Sequence, residues 1–417
     1  MYYITTKLSP ACHQMTLEEF LYGTYTPPLV NRSEDCTRTY EVDEISKRFR
    51  KRFEVLGINI DNIIANLKKF NDYCEDFRKV DRHSLYREFY IPKESGGWRK
   101  INAPCDELKV ALRNLKTILE NEVKLPMYHT SAFAYIKRRS VNKCVDRHQA
   151  NVSKWFAKFD LSNFFGSTTL DFVLRMFSMI YPLSAVMERE DGREELTKAL
   201  ELAFLDGGLP QGTPISPFIT NVMMIPIDYR VSNSFRDFQF TARNGEVFKT
   251  SCVYTRYADD FQISCKYLFP YREAERVITD ALEEFDAPFR INQEKTRFGS
   301  ASGSNWILGI MLNGENKKSI GYKNRKYFNA AVNTYARDKV SGINWSLEDV
   351  QILDGKRNWY HSIAPDDIDE ILKKYSIKYK FDVLQSIKDD LKGRTSSKNA
   401  AAIESSSNVN YDGDIPF

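Results

Sequence analysis

What this 417-residue chain lacks narrows its class before any motif is considered. Its seven cysteines, Cys12, Cys36, Cys74, Cys105, Cys144, Cys252 and Cys265, are odd in number and include no Cys-x-x-Cys pair. That argues against a disulfide framework or a thiolate zinc site and favours a reduced, cytoplasmic chain. No apolar run approaches the length that spans a bilayer, and the N-terminus has no signal-peptide core, so no membrane partner is expected. Charge of one sign is scarce too: 60 Lys+Arg against 56 Asp+Glu leave a net +4. A nucleic-acid ligand would then be held by local patches rather than by bulk charge. Three basic runs qualify, Lys47-Arg48-Phe49-Arg50-Lys51-Arg52, Lys137-Arg138-Arg139 and Lys323-Asn324-Arg325-Lys326-Tyr327. A solvated helix face is the plain alternative for the first. The third interleaves Tyr322, Tyr327 and Phe328, which suits a surface that tracks a sugar–phosphate backbone.

What is present is a concentration of carboxylate at one turn. Thr255-Arg256-Tyr257-Ala258-Asp259-Asp260-Phe261 sets two adjacent Asp between apolar runs, Cys252-Val253-Tyr254 and Phe261-Gln262-Ile263-Ser264-Cys265, that read as strands. Paired Asp is poor strand chemistry, because like charges crowd and Asp favours turns. It is good chemistry for holding two divalent cations beside a phosphate. About a hundred residues earlier, Trp155-Phe156-Ala157-Lys158-Phe159-Asp160-Leu161-Ser162-Asn163-Phe164-Phe165 runs an apolar strand into another Asp. Between them lies Gly208-Leu209-Pro210-Gln211-Gly212-Thr213-Pro214-Ile215-Ser216-Pro217, a Gly/Pro-punctuated loop that opens an apolar helix ending in Phe218-Ile219-Thr220-Asn221. For each Asp alone, a turn or helix cap is the plain reading.

In this order the three elements resemble motif A, motif B and the Tyr-x-Asp-Asp motif C of reverse transcriptases. Ile91-Pro92-Lys93-Glu94-Ser95-Gly96-Gly97-Trp98-Arg99-Lys100-Ile101 resembles the fingers hairpin of that family, Ile291-Asn292-Gln293-Glu294-Lys295-Thr296 its motif D, and Ile307-Leu308-Gly309-Ile310 its motif E. The resemblance spans roughly residues 85 to 320. It implies a right-hand polymerase of α+β class, with fingers, a palm built on an antiparallel sheet, and a helical thumb. It further implies two Mg²⁺ per site, with Mn²⁺ as a substitute, on Asp160 and Asp259, helped by the Leu161 carbonyl and by Asp260. Phe165, five residues after Asp160, stands where the family carries an aromatic gate against the ribose 2′-OH, and Phe164 is expected to pack into the core. Gln211 and Gly212 would approach the incoming dNTP, where Gly has no Cβ to obstruct it. Lys93 and Arg99 would clamp its triphosphate. Lys295 would protonate the leaving pyrophosphate. Tyr257, Leu308, Gly309, Lys323, Arg325 and Lys326 would meet primer and template.

The organisation follows from composition. Residues 1–80 read as a helical N-terminal extension, through Ile45, Phe49, Phe53, Ile58, Ile60, Ile63, Ile64 and Leu67, expected to pack on the fingers. Residues 81–313 form fingers and palm, with helices across 170–206 broken at Glu188-Arg189-Glu190-Asp191-Gly192 and a hairpin around Asn244-Gly245. Residues 314–393 form the thumb, with Trp345, Trp359 and Tyr360 as expected core anchors. Residues 394–417 are a Ser/Ala/Asn linker and an acidic tip, Asp412-Gly413-Asp414-Ile415-Pro416-Phe417. That tip resembles the end of bacterial single-stranded DNA-binding proteins. It implies docking of host proteins that read such tails, or of a second protomer in a homo-oligomer.

Within the family, His148 stands where retron enzymes carry Asn-Ala-x-x-His, without the Asn-Ala, and the thumb region has no Val-Thr-Gly. Ser216-Pro217 agrees with group II intron and retron enzymes. Elimination favours a stand-alone, defence-associated reverse transcriptase of abortive-infection type, working with a noncoding RNA template or scaffold and yielding a DNA product. Protein-primed or untemplated synthesis, a retron-like or group II-derived enzyme, and a non-catalytic RNA scaffold are the alternatives.

Overall fold

Apolar residues at helical spacing build the first elements of the computed structural model, which describes residues 36–93, 96–241, 245–301 and 306–392. Helices Cys36–Phe53 and Ile60–Tyr73 bury Phe49, Phe53, Ile63, Ile64, Leu67 and Phe70. Asn59 caps the second by accepting from the Asn62 amide at 3.0 Å. This second helix packs mainly on helices Glu190–Glu201 and Asp106–Glu122 rather than on the fingers hairpin. The basic run on the first helix is partly spent, since Arg48 pairs with Glu44 and Arg50 with Glu188.

Strands β1 (Tyr86–Pro92) and β2 (Trp98–Pro104) pair antiparallel, Pro92 opposite Trp98, to form the fingers hairpin. A four-stranded antiparallel sheet follows, built from β3 (Trp155–Asp160), β6 (Val253–Tyr257), β7 (Asp260–Cys265) and β8 (Arg297–Ser300) in the order β6-β7-β3-β8. Between β3 and β6, strands β4 (Phe238–Thr241) and β5 (Val247–Thr250) pair as the hairpin expected around Asn244-Gly245. Phe159, Phe261 and Ile263 are buried in the sheet. Each contributes about 1.5–3 kcal/mol of apolar burial. Helices Leu170–Phe177, Leu183–Met187 and Glu190–Glu201 occupy 170–206. The charged break is narrower than expected: Glu190 and Asp191 form the first helical turn, where carboxylates face the positive end of the helix dipole.

The chain divides into two compact units, Met1–Asn305 and Trp306–Phe417. In the second, β9 (Trp306–Ile307), β10 (Ile310–Leu312) and β11 (Lys318–Ser319) form a small sheet ahead of helices Gly321–Val340, Leu347–Ile363 and Pro365–Tyr379. A further helical stretch covers 383–392. The anchors of this bundle differ from expectation. Phe328, Tyr335, Leu353, Ile368 and Tyr375 are buried, whereas Trp359 is exposed. Val350, Leu353 and Tyr360 fall on one helical stripe, and Trp359 lies one position off it. Trp345 and Tyr360 are half-buried, each set edge-on to a core ring, Tyr335 at 5.4 Å and Phe328 at 5.6 Å. Phe328 is thus core, while Tyr322 and Tyr327 are exposed. No helix among the described residues is long and apolar enough to cross a membrane.

Candidate active site

The carboxylates meet because of strand register. Asp160, the last residue of β3, lies opposite Asp260, the first of β7. The β6–β7 turn is two residues long, Ala258 and Asp259, with Tyr257 opposite Asp260. Ala258 has φ of +57°. The primed turns that match strand twist require such angles, though Ala reaches them less easily than Gly. The Leu161 amide donates to the Asp259 carbonyl at 3.1 Å, tying the end of β3 to that turn. The Asn292 amide donates to the Asp160 carbonyl at 2.7 Å, which brings the motif D segment alongside.

Two lysines answer the negative charge. Lys295 Nζ lies 2.9 Å from Asp160 Oδ2, and Lys158 Nζ lies 2.8 Å from Asp260 Oδ1 and 2.9 Å from Oδ2. Burial, then the neighbouring Asp260 and Asp160, push the Asp259 carboxyl up to about 6. Burial also raises Asp260, against the pull of Lys158. The hydrogen bond to Asp160 raises Lys295, which keeps it a proton carrier at neutral pH. Among the described residues no group of three His, Cys, Asp or Glu is gathered around a metal position, and lysines pair with two of the carboxylates. The donor set is still the hard-oxygen set that Mg²⁺ takes. Its charges crowd one another, and a divalent cation relieves that crowding.

The motif B loop braces this centre. The Leu209 amide donates to the Phe165 carbonyl at 3.0 Å, and the Asn102 amide to the Gln211 carbonyl at 2.8 Å. A Cβ on Gly208 would lie 2.3 Å from the Gly166 carbonyl oxygen. Gly212, with φ of +115°, would place one 2.8 Å from Ile101 Cγ2. Both glycines thus permit backbone contact with motif A and with β2. Ser216 Oγ donates to the Pro210 carbonyl at 2.9 Å, closing the loop on its helix. Phe164 is buried, as expected, and half-buried Phe165 meets it edge-on at 5.6 Å.

Other expected residues are spread more widely. Lys93 and Arg99 are exposed on the fingers hairpin. Leu308 and Gly309, both at positive φ, form the β9–β10 turn in the second unit. Lys323, Arg325 and Lys326 are exposed on its first helix, with Arg325 engaged by Glu370 at 2.9 Å and Asp367 at 3.3 Å. Of the second basic run, Arg139 turns inward to the Tyr128, His129 and Ala132 carbonyls. His148 is fully buried behind the hairpin, between Ser264 Oγ at 2.6 Å and Thr255 Oγ1 at 2.8 Å. The tail residues Asp412, Asp414, Ile415, Pro416 and Phe417 lie outside the described residues.

Sequence reasoning passed over two positions. Lys158 is two residues before Asp160 on the same strand, so period-two alternation sets both on one face. Tyr135 has φ of +56° and its ring is 6.5 Å from that of Tyr257. Burial raises its hydroxyl, Asp259 and Tyr257 add to that, and Arg99 opposes it, which sets Tyr135 among the candidate site residues. Only its aromatic character signalled this.

Aspartates at the end of one strand and the tip of the facing hairpin, in an antiparallel sheet flanked by a fingers hairpin, define a polymerase palm. The chain belongs to the family described as reverse transcriptase (RNA-dependent DNA polymerase), which matches residues 91–327. It is similar to the Retron Ec83 reverse transcriptase of Escherichia coli, 25% identical over 70% of this chain and 86% of the relative. It is also similar to the Retron Mx162 reverse transcriptase of Myxococcus xanthus, 30% identical over 58% of this chain and 50% of the relative. Apo telomerase from Candida tropicalis matches at 12% identity and a TM-score of 0.39, over 73% of this chain and 61% of that one.

Proposed function

We propose that this chain copies an RNA template into DNA, with divalent cations held between Asp160 and Asp259 and with Asp260 as their carboxylate neighbour. The observation that carries this reading is the register that sets Asp160 opposite Asp260 with Asp259 in the adjoining turn. When bound, two Mg²⁺ ions, or Mn²⁺ in their place, would supply positive charge that stabilises the attacking 3′-oxygen and the leaving pyrophosphate. The chain's own groups then have separate tasks. Asp160 and Asp259 offer carboxylate oxygens, and Leu161 its carbonyl, once Lys295 swings off Asp160. As the primer 3′-oxygen bonds to the α-phosphorus and its proton passes to solvent, the released Lys295 can give its own proton to the pyrophosphate oxygen whose bond to that phosphorus breaks. Lys93 and Arg99 meet the triphosphate, and Gln211 and Gly212 border the nucleotide. Phe165 leaves no room for a 2′-OH. Tyr257, Leu308, Gly309, Lys323, Arg325 and Lys326 serve primer and template.

The retron likeness supports a dedicated noncoding RNA as template and scaffold, in a cytoplasmic system that acts against phage. The acidic tail ending in Phe417 would recruit host DNA-processing proteins or a second protomer. Primer extension on an RNA template with dNTPs and Mg²⁺ tests the activity, and sequencing of copurified nucleic acid tests the template. A DNA product whose length and sequence follow the RNA supports the reading. Product covalently attached to a tyrosine, or DNA without template correspondence, would replace it with protein-primed or untemplated synthesis.

A further inference from the structure

An arginine is among the largest fully buried side chains of the first unit, and it stands three residues before Asp259. Desolvating a guanidinium is costly, so the use made of each of its N–H groups shows what it supports. Arg256 Nε donates to Asp228 Oδ1 and Nη2 to Asp228 Oδ2, both at 2.7 Å. Nη2 also meets Asn221 Oδ1 at 3.2 Å. Nη1 donates to the Ala258 carbonyl at 2.9 Å, inside the turn that presents Asp259. Asn221 in turn donates to the Ala134 carbonyl. The Arg256 backbone is clamped too, its amide to the Ser131 carbonyl at 2.7 Å and its carbonyl to the Phe133 amide at 2.9 Å. Asp228 and Asn221 sit on helices Ile225–Arg236 and Ser216–Met223. One side chain therefore joins two helices to a turn whose Ala258 holds a left-handed φ of +57°.

We infer that Arg256 is the positioning residue for Asp259: it acts through the Ala258 carbonyl to fix the turn that aims the carboxylate. The inference rests on the reading of Asp259 as a cation ligand. A purely structural ion pair would need only the two bonds to Asp228, whereas the bond to Ala258 reaches into the catalytic turn. Tyr254 supplies the internal comparison, because its hydroxyl donates to the same Asp228 at 2.7 Å and no bond of that hydroxyl reaches the turn.

The test compares Arg256→Lys, Tyr254→Phe and Asp259→Ala in the full chain by single-turnover dNTP incorporation on a primed RNA. Melting temperature, dNTP KM and Mg²⁺ half-saturation are measured alongside. Lysine keeps the charge for Asp228 but is a point donor that cannot keep both the fork and the turn contact. Arg256→Lys is expected to lower kcat at least about tenfold, as misplacements near 1 Å do. It should also raise the Mg²⁺ requirement several-fold and leave dNTP KM unchanged. Tyr254→Phe should cost stability alone. A folded Arg256→Lys enzyme with wild-type kcat and Mg²⁺ dependence, or a Tyr254→Phe enzyme equally impaired in both, overturns the inference. If Arg256→Lys does not fold, Asn221→Ala replaces it; a smaller loss of kcat with the same Mg²⁺ shift supports the inference, and an unaltered enzyme overturns it. An active Asp259→Ala enzyme would overturn the cation-site reading itself, a failure distinct from an inert Arg256→Lys beside a dead Asp259→Ala.

Discussion

The four-stranded sheet and the segments beside it carry two kinds of ion pair. Arg256 and Asp228 are both 0% exposed, whereas Lys295 is 54% and Lys158 31% exposed over carboxylates that are 9% and 19% exposed. The buried pair is bidentate and crossed by further hydrogen bonds, so neither partner can leave without stranding a desolvated charge. Lys295 meets one oxygen of Asp160 and Lys158 both oxygens of Asp260, each at the solvent edge, where screening makes the pair weak. The difference is one of exchangeability. A pair that water and ions can reach can give way to a divalent cation, and a pair that they cannot reach serves to hold the geometry. Cation–carboxylate pairs therefore both frame the site and wait in it.

Breaking the buried side should have the largest effect on stability. Asp228→Ala leaves Arg256 without its partner and is expected to cost about 3–5 kcal/mol, read as a lower urea midpoint at unchanged slope. Lys158→Ala, on the accessible side, should change stability by less than about 1 kcal/mol. Equal losses in the two variants would erase the distinction. Next in size, Phe165→Ala should relax the preference for dNTP over rNTP by about 1–3 kcal/mol, or roughly 10–200-fold. Unchanged discrimination in an active variant removes Phe165 from the gate.

A smaller effect concerns pH. Burial, and then Arg147, push His148 down to about 3 from the ordinary 6.5, so it is neutral in the folded chain. The unfolded chain binds a proton there below about 6.5 that the folded chain refuses, so stability is lost as pH falls from about 6.5 towards 3. His148→Gln should flatten that slope in acid denaturation. An identical slope would show that His148 does not carry it.

The strands about the paired Asp and the helical character of the second unit are legible from local pattern, and the order of the motifs from the resemblance to reverse transcriptases. Phe164 in the core and the β4–β5 hairpin followed from the same local rules. What escaped depended on partners distant in sequence. Arg256 reads as an ordinary charge until Asp228 and Asn221 are folded against it, and nothing local shows that Gly212 also packs against Ile101. The size of Trp359 suggests burial, but helical phase sets it outside the buried stripe. The charges near Glu188 suggest a loop, but Glu190 and Asp191 stand at a helix N-terminus, where carboxylates favour the helix.

The central claim is that Asp160, Asp259 and Asp260 form a cation site for chemistry and not a structural cluster. It is tested most directly by single-turnover dNTP incorporation with Asp259→Ala/Asp260→Ala, set beside its unfolding curve. The account predicts a rate lower by about 10³-fold or more, some 4 kcal/mol of barrier, with unfolding free energy within about 1 kcal/mol of wild type. Near wild-type incorporation, or a loss that only mirrors unfolding, would contradict it.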